Sequence, residues 1–118
     1  MSDTDSIQAL TDSIREFARE RDWEQFHDPK SLILALTGEV GELAELFQWI
    51  KADEATARFA EPERKRRAEE EISDVLIYLL RLADVLNIDV GNAAARKLEH
   101  GRRRFAPSVF SGIAPDKV

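Results

Sequence analysis

An acidic residue followed by proline occurs twice in this chain, at Asp28-Pro29 and at Glu61-Pro62, each time directly ahead of a long run with helical periodicity. Proline donates no backbone hydrogen bond and its φ is fixed near the helical value, so it suits the first turn of a helix and no later position. The residue before it accepts from the N–H groups that a helix start leaves unpaired. Two helix starts are therefore fixed, with the first helix expected to run to about Lys51 and the second to about Leu86. Ahead of Asp28, the spacing of Ile7, Leu10, Ile14 and Phe17 predicts another helix, capped by Asp5 or Ser6 and ending near Arg21. The segment Trp23–His27 breaks that pattern. Beyond a turn at Asn87, Asp89 is placed to cap a fourth helix, and Gly101 stands where a glycine would close it.

No segment alternates apolar and polar residues over a useful length, and there is no internal repeat. The chain reads as all-α, a four-helix bundle over residues 1–106 followed by a tail, 107–118, whose Pro107, Gly112 and Pro115 predict a loosely held segment. Its 118 residues suit one domain, and 43% hydrophobic residues are enough for it to fold. The helix beginning at Asp28 is apolar over most of its circumference, through Leu32, Ile33, Leu34, Leu36, Val40, Leu43, Leu46, Phe47 and Ile50. Four helices of one chain do not cover that much apolar surface, so a homodimer or a tetramer built from dimers is expected.

The formal net charge of −6 argues against a nucleic-acid-binding protein with a basic face. With no cysteine, a metal would be held by oxygen or imidazole ligands, which points to hard cations such as magnesium. No apolar run approaches the roughly 20 residues that span a bilayer, and Met1 to Ser6 is polar, so a cytoplasmic protein without a membrane partner is expected.

The acidic residues carry the functional signal. At about 100° per residue, Leu32, Leu36, Leu43, Leu46 and Ile50 fall within roughly 60° of Glu39, which therefore points into the core face. Glu42 lies one turn on, and Trp49 is expected to continue its stripe two turns later. The next helix repeats the arrangement: Glu71 and Asp74 are again three apart, followed by Val75, Tyr78, Leu82 and Val85. Like charges at this spacing repel, and burying an unpaired carboxylate costs several kcal/mol. Glu39, Glu42 and Asp74 have no Lys or Arg three or four residues away, and only Glu71 has Arg67. A metal ion resolves the conflict, with four carboxylates from two facing helices as oxygen ligands and open positions for water and phosphates. Isolated acidic pairs on helices are most often solvated surface charge, and Glu45, Glu69 and Glu70 are read that way. Two pairs on core-facing stripes are not.

The run Glu39-Val40-Gly41-Glu42-Leu43-Ala44-Glu45-Leu46, followed by Glu71-Ile72-Ser73-Asp74-Val75, resembles the paired acidic motif of MazG-like nucleotide pyrophosphohydrolases. Within that family, the segments Arg21–His27, Phe47–Trp49 and Asp74–Tyr78 look most like the members that act on dCTP, and the resemblance extends over roughly residues 7 to 106. It implies an all-α bundle assembled as a dimer or a tetramer, magnesium held by Glu39, Glu42, Glu71 and Asp74, and attack of water on the α phosphorus of a nucleoside triphosphate. The products are a monophosphate and pyrophosphate. Glu42 is assigned as the base that takes the water proton, with Glu39 beside it as the second catalytic carboxylate.

The same resemblance places Trp23, Trp49 and Tyr78 near the nucleotide, whereas Phe47 is read as core. His27 either hydrogen-bonds the base or caps the helix that follows it. Lys97 and Arg104 match the closing basic part of the family pattern and are assigned to phosphate. Gly101, Phe105 and Ala106 depart from the asparagine, tyrosine and proline common there, which removes an amide donor at Gly101. The substrate expected is dCTP or a modified cytosine nucleotide, with dUTP, another non-standard triphosphate or phosphoribosyl-ATP as the alternatives on the same chemistry. A noncatalytic helical oligomer that binds nucleotide is the alternative of a different class, and the complete four-carboxylate set opposes it.

Overall fold

The computed structural model describes residues 3–116, with side chains from Ser6 onward. The elements in chain order are α1 (Asp3–Glu20), a single 3₁₀ turn (Glu24–Phe26), α2 (Pro29–Glu45), α3 (Ala55–Arg58), α4 (Pro62–Val85), α5 (Val90–Arg104) and α6 (Pro107–Phe110). Four of these are long helices, as expected, and no strand occurs among the described residues. Both acidic–proline pairs open helices, with Pro29 and Pro62 in the first turns of α2 and α4. Asp28 caps α2 by accepting from the Ser31 N–H at 2.9 Å, and Asp89 caps α5 by accepting from the Asn92 N–H at 3.2 Å.

Three helix boundaries differ from the sequence expectation. The first helix already runs from Asp3, so Asp5 and Ser6 lie inside it; acidic and hydroxyl residues suit the whole first turn, and composition places such a boundary only to within a turn. The second helix ends at Glu45, well short of Lys51. Its continuation is replaced by tight i→i+3 bonds from Leu46 N–H to Leu43 O, Phe47 N–H to Ala44 O and Ile50 N–H to Phe47 O. The Phe47 ring stacks on Phe59 at 4.2 Å, which ties this turn to the segment after α3. Trp49 therefore leaves the helical stripe and stands 89% exposed. Gly101 does not close the last helix, which continues through it to Arg104, since one glycine costs a helix only about 1 kcal/mol. Beyond it, residues 107–110 form α6, and Phe110 meets Phe105 edge to face at 5.3 Å.

Helices α1 and α4 both end in Schellman motifs built on non-glycine residues. Asp22 (φ 54°) and Asn87 (φ 56°) adopt the left-handed conformation. Trp23 N–H then bonds Ala18 O at 2.9 Å, Asp22 N–H bonds Arg19 O, Ile88 N–H bonds Ala83 O at 2.8 Å and Asn87 N–H bonds Asp84 O. Asp and Asn are the side-chain types that tolerate this backbone best after glycine. The first motif turns Trp23 and His27 back across the end of α1 towards α4.

Helix α4 is the hub, packing most extensively along α2 and next on α1, while α5 rests on α1. The buried apolar side chains are Ala18, Leu32, Ala68, Leu80 and Ala83, of which only Leu32 and Leu80 are large. Much apolar surface stays open: Ile33, Leu34 and Val40 on α2 and Ile72, Leu76 and Leu79 on α4 are all exposed. The accessible surface is 9183 Å², whereas a compact monomer of 13.4 kDa presents roughly 6,500 Å². The radius of gyration, 17.5 Å, likewise exceeds the roughly 13–14 Å of a compact domain this long. No helix among the described residues is long and apolar enough to cross a membrane.

Candidate active site

Glu39 and Glu42 occupy adjacent turns of α2, and Glu71 and Asp74 adjacent turns of α4. Because these two helices pack along one another, the pairs meet. Glu39, Glu42 and Glu71 each offer a carboxylate oxygen within 4.8 Å of the other two. Asp74 stands outside this tight triple, yet its charge acts on both Glu39 and Glu71. Glu39 and Glu71 are half-buried, and each has one fully buried oxygen, Oε2, without a hydrogen-bond partner among the described residues.

The electrostatics follow from that crowding. Burial is the first cause that raises the Glu39 pKa above its ordinary value, then the close approach of Glu42, with the charges of Asp74 and Glu71 adding to it. Glu71 is raised in the same way, by burial and then by Glu42, and Arg67 opposes the shift only in part. Orphaned buried carboxylate oxygens are costly, and oxygen-only donor sets of this kind suit a hard divalent cation. The residues present therefore fit a centre for a hard divalent cation.

Glu39 and Asp74 also line a cavity of about 230 Å³, whose other walls are Ile14, Phe17, Ala18, Trp23, His27, Ile77, Tyr78 and Arg81. Trp23 is turned into place by the motif that ends α1, and its ring meets Phe17 edge to face at 5.7 Å. His27 does not cap α2, because Asp28 does; its Nδ1 instead accepts from Arg81 Nε–H at 2.9 Å. Trp23, His27 and Tyr78 thus come together with two of the carboxylates. Trp49 does not, and neither do Lys97 and Arg104, which are exposed on α5 away from this cavity. Arg104 instead lies over the Phe105 ring at 5.1 Å. Sequence reasoning missed Arg81, Ile14, Phe17 and Ile77 as cavity residues. The one available signal was Arg81, a lone cation in the apolar run Ile77–Ala83.

Fold and site together define a class: an all-α protein that sets a carboxylate cluster from two packed helices at the edge of an aromatic-walled cavity. The chain belongs to the MazG-like family, whose model matches residues 35–106, a stretch that contains all four carboxylates. It is 48% identical over 99 residues to dCTP pyrophosphatase 1 of Bos taurus, covering 84% of this chain and 59% of that protein. It is 52% identical over 90 residues to dCTP pyrophosphatase 1 of Homo sapiens, covering 76% of this chain and 53% of that one. The chain thus spans little more than half the length of these curated relatives. Among solved structures it resembles a pyrophosphatase from Archaeoglobus fulgidus, with a TM-score of 0.78 and 42% identity over 86% of this chain and 93% of that one.

Proposed function

We propose that this protein is a magnesium-dependent nucleoside triphosphate pyrophosphohydrolase of nucleotide-pool house-cleaning, with dCTP or a modified cytosine deoxynucleotide as substrate. The observation that carries the reading is the carboxylate cluster, with the orphaned Oε2 atoms of Glu39 and Glu71, beside a cavity that Glu39 and Asp74 line together with Trp23 and Tyr78. Likeness to two dCTP pyrophosphatases supports the substrate.

In this reading Glu39, Glu42, Glu71 and Asp74 hold the cation. When bound, magnesium neutralises triphosphate oxygens and makes a bound water easier to deprotonate. Glu42, exposed where the Glu39 and Glu71 that it meets are half-buried, takes the proton of the attacking water, and Glu39 fixes the geometry beside it. Trp23 and Tyr78 hold the base against their rings, where a stacking contact is worth about 1–3 kcal/mol. Trp49, Lys97 and Arg104 stand apart from the cavity of their own chain, so their assigned contacts with base and phosphate require a neighbouring subunit. The uncovered faces of α2 and α4 and the excess accessible surface support a homodimer or a tetramer that brings them there.

The test is a panel of deoxynucleoside and nucleoside triphosphates incubated with magnesium and resolved by chromatography. The expected result is a monophosphate plus pyrophosphate, fastest for dCTP. Turnover of no triphosphate would leave a helical nucleotide-binding oligomer as the reading.

A further inference from the structure

Arg81 is 7% exposed on α4, a cation set among apolar neighbours, and the carboxylate chemistry does not use it. Its Nε–H donates to Nδ1 of His27 at 2.9 Å, and its Nη1–H donates to Oδ2 of Asp84 at 3.1 Å. Asp84 is held in turn from α1, where Arg15 donates through Nε–H at 2.8 Å and Nη2–H at 2.6 Å. A bidentate arginine–carboxylate pair of this kind fixes both position and orientation. The chain Arg15–Asp84–Arg81–His27 therefore runs from the α1–α4 seam to the cavity, and both Arg81 and His27 line that cavity.

The order of donors along this chain has one consequence for His27. A guanidinium only donates and does not lose its proton in a protein, so the nitrogen facing Arg81 has to be an acceptor. The ring proton is then on Nε2, the nitrogen that Arg81 does not engage. Burial, and after it the neighbouring Arg81 charge, push the His27 pKa below its ordinary value, which keeps the ring neutral.

We propose that Arg81, braced by Asp84 and Arg15, is a positioning residue that locks His27 as an Nε2–H donor, so that the cavity selects a nucleobase edge bearing a ring acceptor. This rests on the reading of the cavity as the base pocket of a nucleotide hydrolase. A neutral histidine left to itself presents either nitrogen as donor or acceptor and adapts to either kind of edge. The lock makes it single-valued. Cytosine carries an unprotonated ring N3 beside its O2 carbonyl and pairs with that donor. Uracil carries N3–H and opposes it, so uracil meets the same donor only through a carbonyl in another position. Discrimination of this type is strong because the wrong base leaves buried polar groups unpaired.

The test has two arms. In the first, nitrogen NMR of the ring atoms is recorded on the full chain without nucleotide near neutral pH. The chain has two histidines, and His27→Gln separates His27 from His100. The expected result is a neutral His27 ring protonated at Nε2 in the unaltered protein and a mixture of tautomers in Arg81→Met. In the second arm, calorimetry measures binding of the non-hydrolysable α,β-imido analogues of dCTP and dUTP with magnesium. Arg81→Met is expected to lower the preference for the dCTP analogue roughly tenfold, with Arg81→Lys recovering part of it through its donating ammonium. Arg15→Met, which removes only the brace, should give an intermediate loss.

A His27 ring protonated at Nδ1, or charged, in the unaltered protein overturns the lock whether or not any variant folds. An unchanged analogue preference in folded Arg81→Met overturns its role in selection, as does failure of the unaltered protein to bind either analogue. If the unaltered protein binds the analogues with the expected preference but hydrolyses no triphosphate, the assigned reaction falls and the lock stands.

Discussion

Glu39 on α2 and Glu71 on α4 bring carboxylate oxygens within 4.8 Å of one another, and each keeps a buried oxygen that no group among the described residues satisfies. Two like charges held this close across a helix seam oppose the packing that creates them. The arrangement is stable only with protons or a cation between them, and burial raises the pKa of both.

Replacing one partner separates the structural cost from the chemical use. If the proposed metal centre holds, Glu39→Gln, or Asp74→Asn, is expected to lower turnover of dCTP by roughly a thousandfold or more, through loss of a ligand. The same variants should keep their helical circular dichroism, and without metal they should melt at the same temperature as the unaltered protein or higher, because repulsion at a core face is removed. Turnover within a few-fold of normal for either variant at moderate magnesium would refute the metal centre.

The meeting of Glu39, Glu42 and Glu71 was legible in the sequence because a 3.6-residue period places their helix positions on facing stripes, and the helix starts were legible because Asp28, Pro29, Pro62 and Asp89 act within one turn of themselves. What the sequence hid depends on distant partners. The early end of α2 goes with the stacking of Phe47 on Phe59, twelve positions away. Arg81 acquires its meaning only when the fold sets it against His27, fifty-four positions away, and against an Asp84 already held by Arg15. A cation in an apolar run otherwise reads as a side chain that reaches out to water.

The Arg15–Asp84 pair predicts a defined acid response. Hydrogen bonding from Arg15 is the main cause that holds the Asp84 pKa below its ordinary value, against the opposing effect of burial. A depressed folded-state pKa contributes stability above the unfolded value of 3.8 and loses it as pH falls through the folded value. With Arg15 half-exposed, the pair is worth roughly 1 kcal/mol. Denaturant titrations should therefore show Arg15→Met less stable than the unaltered protein by about that amount above about pH 5, with the gap closing below about pH 4. A gap that persists unchanged into acid would assign the loss to packing of the arginine stem.

The uncovered apolar faces predict assembly. Leu34 is 63% exposed on α2 and Ile72 is 54% exposed on α4, in a chain whose accessible surface exceeds that of a compact monomer by a few thousand Å². That excess is of the size that an obligate interface buries. Light scattering should report a dimer or tetramer at micromolar concentration, and Leu34→Glu should shift it towards monomer and lower the melting temperature. A stable, folded monomer of the unaltered chain would remove the proposed assembly, and with it the proposed substrate contacts of Trp49, Lys97 and Arg104.

The reaction itself makes the sharpest prediction. With magnesium, dCTP should yield dCMP and pyrophosphate, with labelled solvent oxygen entering the monophosphate, as the proposed attack of water on the α phosphorus requires. A phosphatase acting at the terminal phosphate would instead release dCDP and inorganic phosphate, and those products would overturn the assignment. Trp23 divides binding from chemistry. Its ring lines the cavity and meets Phe17, and it belongs to neither helix that carries the carboxylates. Stacking on the base is nearly the same in the ground and transition states, so Trp23→Ala should raise KM roughly tenfold and leave kcat within a few-fold. Lost turnover at unchanged KM would mean that the ring supports the carboxylates of α2 and α4 and does not hold the base.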